Sequence, residues 1–328
     1  MDSRTEHLAF SRPEPYHFLP VPGFSMIGLM AAMEPLQVAN RYHENLFRWH
    51  FLSIDGRPVE ASNGIPFECE NSIKKCGQLS TLIICAGFHP ERVCTASFLS
   101  WLRARASEGT ILGGVDTGSI ILAKAGLLRG YRATVHWQHL ASFQEDFRDV
   151  IVTGNLFEID RNRFTSSGGT SSLDMMLRLI TRNYGHDLAV QISDALIHER
   201  IRDAHEDQRM EIGLRLQSHH PLLNPLIKLM EENLEQPLTI KTIAERISVS
   251  SRQVHRLFQR YLGKSPGRFY LGLRLEKARQ LLLQTSLPIM DVALACGFSS
   301  NASLTKSYTT FFGHSPRHER QERPQDRS

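Results

Sequence analysis

The sequence predicts an α/β domain with a layered parallel sheet, followed by an all-α domain that carries two helix-turn-helix motifs. Three observations predict it. Before Pro221, short apolar runs alternate with amphipathic helical segments, the layering that covers a parallel sheet with helices. After Pro221 the chain reads as helical and repeats itself once, fifty residues apart. The charge balance changes at the same point: 22 Lys/Arg against 25 Asp/Glu precede it and 16 against 9 follow, so the two parts carry −3 and +7. A basic unit joined to a mildly acidic one suits nucleic-acid binding coupled to something else.

The whole is 328 residues, 41% apolar and 22% charged. That length is about twice one default domain, and the composition excludes collagen-like and disordered classes. The longest apolar stretches, such as 81–88, fall short of the ~20 residues that span a bilayer. Residues 1–15 carry Arg4, Glu6, Arg12 and Glu14 without an apolar run, which predicts no secretory signal, a cytoplasmic location and no membrane partner. Cys69, Cys76, Cys85, Cys94 and Cys296 form no CxxC pair, so reduced thiols are expected rather than a zinc site or a disulfide framework.

Taken in order, residues 17–21, 48–54, 81–86 and 111–115 read as strands, and 26–42, 96–107 and 118–127 as helices. The run Gly114-Val115-Asp116-Thr117-Gly118 places glycines around a tight strand-to-helix turn of the kind that exposes a nucleophile in many hydrolases. Here the exposed residue is Asp116, with Thr117 beside it. Gly168-Gly169-Thr170 precedes a helix from Ser171, where free N–H groups favour an anion and where close backbone packing explains the glycines equally well. From Leu188 to Ser218 the chain reads as a polar helix closing the first domain. His198 and His205 are seven apart without a third partner, the pattern of a solvated helix rather than a metal site.

In the second part, Leu262-Gly263-Lys264-Ser265-Pro266 matches Phe312-Gly313-His314-Ser315-Pro316. Each copy reads as a short helix, a turn, a serine N-cap (Ser250; Ser299 or Ser300), a second helix and a glycine stop. Val254, Leu257, Phe258 and Tyr261 share one face of the first copy's second helix, with Arg252, His255, Arg256 and Gln259 opposite. Leu304, Tyr308, Phe311 and Phe312 stand against Asn301, Thr305 and Lys306 in the second. A polar second helix fits the major groove, whose base edges accept bonds from Arg and Asn. A helix over 269–284 separates the two copies, and Arg268, Arg274, Lys277, Arg279 and Arg317 are available for phosphates.

Residues 222–321 resemble the AraC/XylS family of bacterial transcription regulators. The resemblance rests on Pro237-Leu238, Ile243-Ala244, residues 250–258, 274–279, 291–298 and 313–316. It implies promoter DNA as partner and base-contacting or capping roles for Ser250, Arg252, His255 and Arg256, then Ser300, Asn301, Thr305 and Lys306. Leu304 departs from the frequent aromatic and Thr309 from the frequent basic residue. The elbow, with Ala133-Thr134-Val135-His136-Trp137 downstream, resembles the class I glutamine-amidotransferase-like superfamily, including PfpI-type proteases. The order of units resembles a subgroup of AraC/XylS regulators whose sensor is such an amidotransferase-like domain.

The resemblance implies three segments: a sensing and dimerisation domain over 16–187, a closing helix and linker over 188–221, and a DNA-binding domain over 222–321 with helix-turn-helix units at 241–262 and 289–312. Enzymes of the superfamily carry a cysteine at the elbow, which Asp116 replaces. A carboxylate is a poor nucleophile for amides but a good partner for a cation. The expected protein is a non-catalytic regulator, an activator, without cofactor or metal. It senses a small nitrogenous metabolite, since members of the subgroup sense arginine, carnitine or glycine betaine. Asp116, Thr117, His136, Trp137, Gly169 and Thr170 are its effector residues, with Asp116 alternatively a turn cap and His136 and Trp137 alternatively core. RNA polymerase and a second copy of the chain are the implied partners. The competing readings are an amidase- or deglycase-like enzyme fused to a DNA-binding domain, and a constitutive DNA binder whose first domain only dimerises.

Overall fold

The computed structural model of the chain describes residues 13–208, 220–285 and 287–321. The chain divides into two compact units between Gln208 and Arg209. In the first, β1 (Glu14–Pro20), β2 (Phe47–Ser53), β5 (Asn71–Ser72), β6 (Thr81–Cys85), β7 (Ile111–Val115), β10 (Phe157–Asp160) and β11 (Arg163–Ser166) build a seven-stranded sheet in the order β10-β11-β7-β6-β1-β2-β5. Two short pairs lie outside it, β3 (Val59–Glu60) with β4 (Pro66–Phe67) and β8 (Arg132–Ala133) with β9 (Ile151–Val152). All neighbours in the large sheet run parallel except β10 and β11. The parallel sheet expected from the apolar runs is therefore a mixed one. The antiparallel edge arises because residues between β10 and β11 are too few for a crossover helix.

The central strand β6, Thr81-Leu82-Ile83-Ile84-Cys85, is buried at every position, as a strand covered on both faces must be. Its side chains alternate between two cores. Ile83 and Cys85 join one core with Leu29 and Leu36 of α1 (Met26–Tyr42), Met176 and Ile180 of α5 (Ser171–Tyr184) and Ile192 of α6 (His186–Ala195). Leu82 and Ile84 join the other with Phe98 and Leu102 of α2 (Ala96–Ser107), Ile121 of α3 (Gly118–Lys124) and Phe143 of α4 (Leu140–Asp146). Each such aliphatic side chain contributes ~1.5–3 kcal/mol by leaving water. The ends of β6 and β7, where the strand-to-helix turns emerge, are thus rigidly held from both faces.

The second unit contains α7 (Leu223–Glu231), α8 (Ile240–Arg246), α9 (Ser251–Leu262), α10 (Pro266–Gln284), α11 (Ile289–Ala295), α12 (Asn301–Phe312) and α13 (Pro316–Gln321). Leu226, Met230, Ile243, Val254 and Phe258 form its first core. Val292, Leu304 and Tyr308 are fully buried in the second copy. Two residues expected in those cores lie outside: Tyr261 is 37% and Phe311 44% exposed. Both sit in the last turn of their helices. Arg260 and His220 cover Tyr261 instead.

The expected polar helix from Leu188 ends at Ala195, and residues 196–208 are irregular. Ile197 adopts φ 54°, a left-handed conformation that no helix tolerates. His198 consequently does not lie on a solvated helix. Residues 209–219, the remainder of the expected linker, lie outside the described residues.

Candidate effector site and nucleic-acid interface

The turn between β7 and α3 holds Asp116 at φ 60°, a strained left-handed position for a residue with a side chain. Two glycines make the turn possible. A Cβ on Gly118 would lie 2.2 Å from the Ile84 carbonyl oxygen, and one on Gly168, itself at φ +86°, would lie 2.6 Å from Asp116 Oδ2. The Asp116 amide donates to the Ser166 carbonyl at 3.0 Å, which joins the turn to the end of β11. The carboxyl group is desolvated, and burial pushes its pKa up to about 7 against the lowering effect of the Thr117 N–H. Among the described residues no cation pairs with it. Cys85 lies close enough that the Asp116 charge adds to burial in raising its thiol pKa, so it is no thiolate nucleophile.

The neighbouring residues divide by role. Thr117 is 1% exposed and its hydroxyl donates to the Gly87 carbonyl at 2.7 Å, bracing the turn. His136 caps a 3₁₀ turn over Trp137–His139 through its Nδ1, which accepts from the Gln138 N–H at 3.4 Å. Burial depresses its pKa, and Trp137 lies tilted against it with ring centroids 5.5 Å apart. No hydrogen bond joins His136 to Asp116 among the described residues. Burial pulls His139 down to about 4, with His136 adding to the effect.

At the start of α5 the expected row of free N–H groups is not met. The amides of Ser171, Ser172 and Leu173 donate to the carbonyls of Gly168, Gly169 and Thr170 at 3.2, 3.4 and 3.1 Å. The glycines, at φ 86° and 55°, fold the turn back so that its own carbonyls satisfy the helix. Gly169 and Thr170 remain beside the elbow, but the Thr170 hydroxyl accepts from Arg202 Nη2 at 2.7 Å.

Arg202 is the residue sequence reasoning missed. It donates through Nε and Nη2 to Asp174 Oδ2 at 2.9 and 2.6 Å, and its amide donates to Asp174 Oδ1 at 2.8 Å. His198 Nε2 meets the same Oδ1 at 2.8 Å. Asp174 is fully buried, and an acidic residue inside an otherwise apolar helical stripe is the one sequence signal that foretold a partner.

In the second unit, Ser250 caps α9 in a capping box. Its hydroxyl accepts from the Gln253 N–H at 3.2 Å, and its own N–H donates to Gln253 Oε1 at 2.9 Å. Ser248 supplies the left-handed turn residue at φ 57° and Gly297 its counterpart at φ 72°. Arg252, His255 and Arg256 are exposed and, with Ser250 and Gln253, line a concavity of about 410 Å³. No carboxylate pairs with either arginine among the described residues. Ser300, rather than Ser299, caps α12, accepting from the Ser303 N–H at 3.2 Å. Asn301 and Lys306 are exposed, while the Thr305 hydroxyl donates to Asn301 Oδ1 at 3.1 Å.

Two of the expected phosphate contacts are structural. Arg274 donates to the carbonyls of Cys296 and Gly297 at 2.8 and 2.6 Å with its guanidinium over Phe298. Arg279 pairs with the buried Glu319 at 3.1 Å. Both hold α10 against the second helix-turn-helix unit. Arg268 and Arg317 remain exposed, and Lys277 is half-buried.

Residues 243–322 match the Helix-turn-helix domain family and residues 21–182 the DJ-1/PfpI family. HTH-type transcriptional regulator CdhR of Pseudomonas aeruginosa is 47% identical over 305 residues, covering 93% of this chain and 91% of that protein. The chain belongs to the AraC-type transcriptional regulators. HTH-type transcriptional regulator GbdR, also of Pseudomonas aeruginosa, is 46% identical over 313 residues, 95% of this chain and 85% of that regulator. A crystal structure of an AraC family transcriptional regulator from Pseudomonas putida superposes with a TM-score of 0.52 at 29% identity, over 56% of this chain and all of that one. In this AraC-type regulator the amidotransferase-like unit therefore accompanies DNA binding, and α9 and α12 are the second helices of its two motifs. Among the described residues no helix is long and apolar enough to cross a membrane.

Proposed function

We propose that this regulator is a non-catalytic sensor of a small cationic nitrogen compound, an amine, quaternary ammonium compound or amino acid, and that occupancy of the elbow changes how α9 and α12 engage a promoter. The observation that carries it is Asp116: a desolvated carboxyl without a cationic neighbour among the described residues, at the position where this fold exposes its reactive group. Burying a lone carboxylate is unfavourable, and an incoming cation is the partner that relieves it. His136 and Trp137 follow Thr134, whose carbonyl accepts from Ser119 of α3, and we assign them the neutral imidazole and π face of the site. The regulator acts as an activator through RNA polymerase and as a homodimer, as the resemblance to the AraC/XylS family implies.

DNA reading is divided between the two helices. Arg252, His255 and Arg256 supply base contacts from the first, Asn301 and Lys306 from the second, with Ser250 and Ser300 capping the helices that carry them. The test of the sensor is a thermal-shift screen of the full chain against choline, glycine betaine, L-arginine and neutral amino acids. A ligand at a hundredfold its Kd stabilises by ~2.7 kcal/mol. A shift confined to cationic compounds and lost in Asp116→Asn is expected. Equal shifts in wild type and Asp116→Asn would exclude charge pairing at the elbow.

A further inference from the structure

Residues 198–208 have neither helix nor strand, yet they are fastened to the first unit along their whole length. Beyond the bonds to Asp174, the Ala204 carbonyl accepts from the Leu156 amide at 2.8 Å. Asn155 Nδ2 meets His205 Nδ1 at 3.1 Å. Arg200 and Glu206 close the segment on itself with a forked pair at 2.5 and 2.7 Å. At the far end Gln208 Nε2 lies 3.0 Å from Thr134 Oγ1, 3.1 Å from the Val135 carbonyl and 2.9 Å from the Asn155 carbonyl.

The two fastening points are the two flanks of the elbow. On one side Asp116 is packed against Gly168, and two residues on, Thr170 accepts from Arg202. On the other, Ser119 in the first turn of α3 donates to the Thr134 carbonyl at 2.7 Å, and Thr134 Oγ1 contacts Gln208. Val135, whose carbonyl Gln208 also contacts, immediately precedes His136. A displacement of either flank by a ligand thus reaches the segment through one residue. The next eleven residues lie outside the described residues, and α7, the first described helix of the second unit, begins at Leu223.

We infer that residues 198–208 form a clasp that reports occupancy of the elbow to the DNA-binding unit, with Arg202 and Gln208 as positioning residues that sense its two flanks. The inference rests on the elbow being the effector site. Polar fastening suits the task at the Gln208 end, because hydrogen bonds to loop carbonyls exchange with water at small net free energy, while the Arg202–Asp174 pair anchors the other end. Ile201 and Ala204 pack only partly against the core, so the clasp can shift without unfolding the sheet. Coupling between two sites is reciprocal, and a clasp that restrains the DNA-binding unit without effector changes ligand-free DNA affinity when it is loosened.

The experiment uses the full chain and a DNA duplex selected by that chain from a random pool. Wild type, Gln208→Leu, Arg202→Lys and Asp116→Asn are compared, together with the Gln208→Leu/Asp116→Asn double variant. Duplex affinity and hydrogen exchange of residues 198–208 are read without ligand, then with choline, glycine betaine and L-arginine. The expected result is a change of about threefold or more in ligand-free duplex affinity for Gln208→Leu and for Arg202→Lys. The double variant departs from additivity, and exchange in the clasp changes in Asp116→Asn. A compound that shifts the melting of wild type should still shift that of Gln208→Leu while its effect on duplex affinity is lost. Additive duplex affinities with unaltered clasp exchange overturn the clasp, whatever the compounds do. If no compound shifts the melting of wild type, the cationic-effector reading fails, while the ligand-free affinities still decide the clasp.

Discussion

Two carboxylates in the first unit are treated in opposite ways. Asp174 is wholly buried and receives a forked guanidinium, a backbone amide and an imidazole. Asp116 is desolvated too, but it has a single backbone N–H to lower its pKa and no cation beside it among the described residues. A fold that satisfies one carboxylate so fully, within the same unit, shows that leaving the other without a counter-charge is not a limit of the architecture. Unmet charge at a rigid turn is the feature on which the proposed effector site rests. The cations of α9 form the complementary case: Arg252 and Arg256 are unmet as well, but water solvates them, and only a surface of opposite charge gives them work.

The largest effect expected from this contrast lies at the satisfied carboxylate. Arg202→Ala removes the guanidinium and leaves Asp174 with only His198 and the residue-202 amide, and should destabilise the first unit by roughly 3–5 kcal/mol, read as a fall in melting temperature. An unchanged melting temperature would show that the pair is solvated in solution.

The unsatisfied carboxylate predicts the opposite sign. The folded pKa of Asp116, about 7, lies above the ordinary aspartate value of 3.8, so the folded state holds the proton more tightly. Its contribution to stability falls as pH rises from about 4 to 7 and stays low above that. Asp116→Asn, which tolerates the left-handed backbone, should therefore raise stability at pH 8 by roughly 2–4 kcal/mol and leave it nearly unchanged at pH 4. Denaturant melts at the two pH values provide the check. Equal differences at both would mean that the carboxyl does not titrate in this range.

A cation must displace the Asp116 proton below pH 7. Effector affinity should accordingly fall toward tenfold for each pH unit below about 7 and be flat above it, measured by calorimetry with the compound that gives the thermal shift. An affinity independent of pH would place the cation elsewhere.

Among the exposed charges the effects are smaller and depend on salt. Arg256→Ala should weaken binding to the selected duplex by ~1–3 kcal/mol and relax its sequence preference. An equal loss on unrelated duplex would make it a phosphate contact. The smallest effect is at the caps. Ser250→Ala removes a hydroxyl that both accepts from the Gln253 N–H and donates to Gln253 Oε1 and should destabilise the second unit by ~1 kcal/mol, more than Ser300→Ala, whose cap is a single bond. Chemical denaturation of the two variants gives the ranking.

Much of this architecture was legible without coordinates. The helices Met26–Tyr42 and Ala96–Ser107 and the strand Ile111–Val115 begin and end where the apolar periodicity and the glycines place them, because these signals act within a few residues. The elbow, the capped recognition helices and the internal repeat are local in the same sense. Arg274 and Arg279, by contrast, look like any exposed arginines on an amphipathic helix. Their partners, the carbonyls of Cys296 and Gly297 and the carboxylate of Glu319, lie 22 to 40 residues away. Nothing in the pattern around an arginine states whether it will face phosphate or fold back onto its own chain.

The same division runs through the candidate site. The sequence alone determined that an aspartate occupies the elbow, that serine-capped polar helices follow, and that positive charge gathers with them, since each depends on residue type and short-range spacing. Only the tertiary structure decided that Thr117 braces Gly87, that the N–H groups of α5 are already satisfied, and that residues 198–208 turn back to hold both flanks of Asp116. Those outcomes depend on which carbonyls and hydroxyls reach hydrogen-bonding distance once the sheet has formed, and chains separated by up to 74 residues meet there only because two hydrophobic cores bring them together.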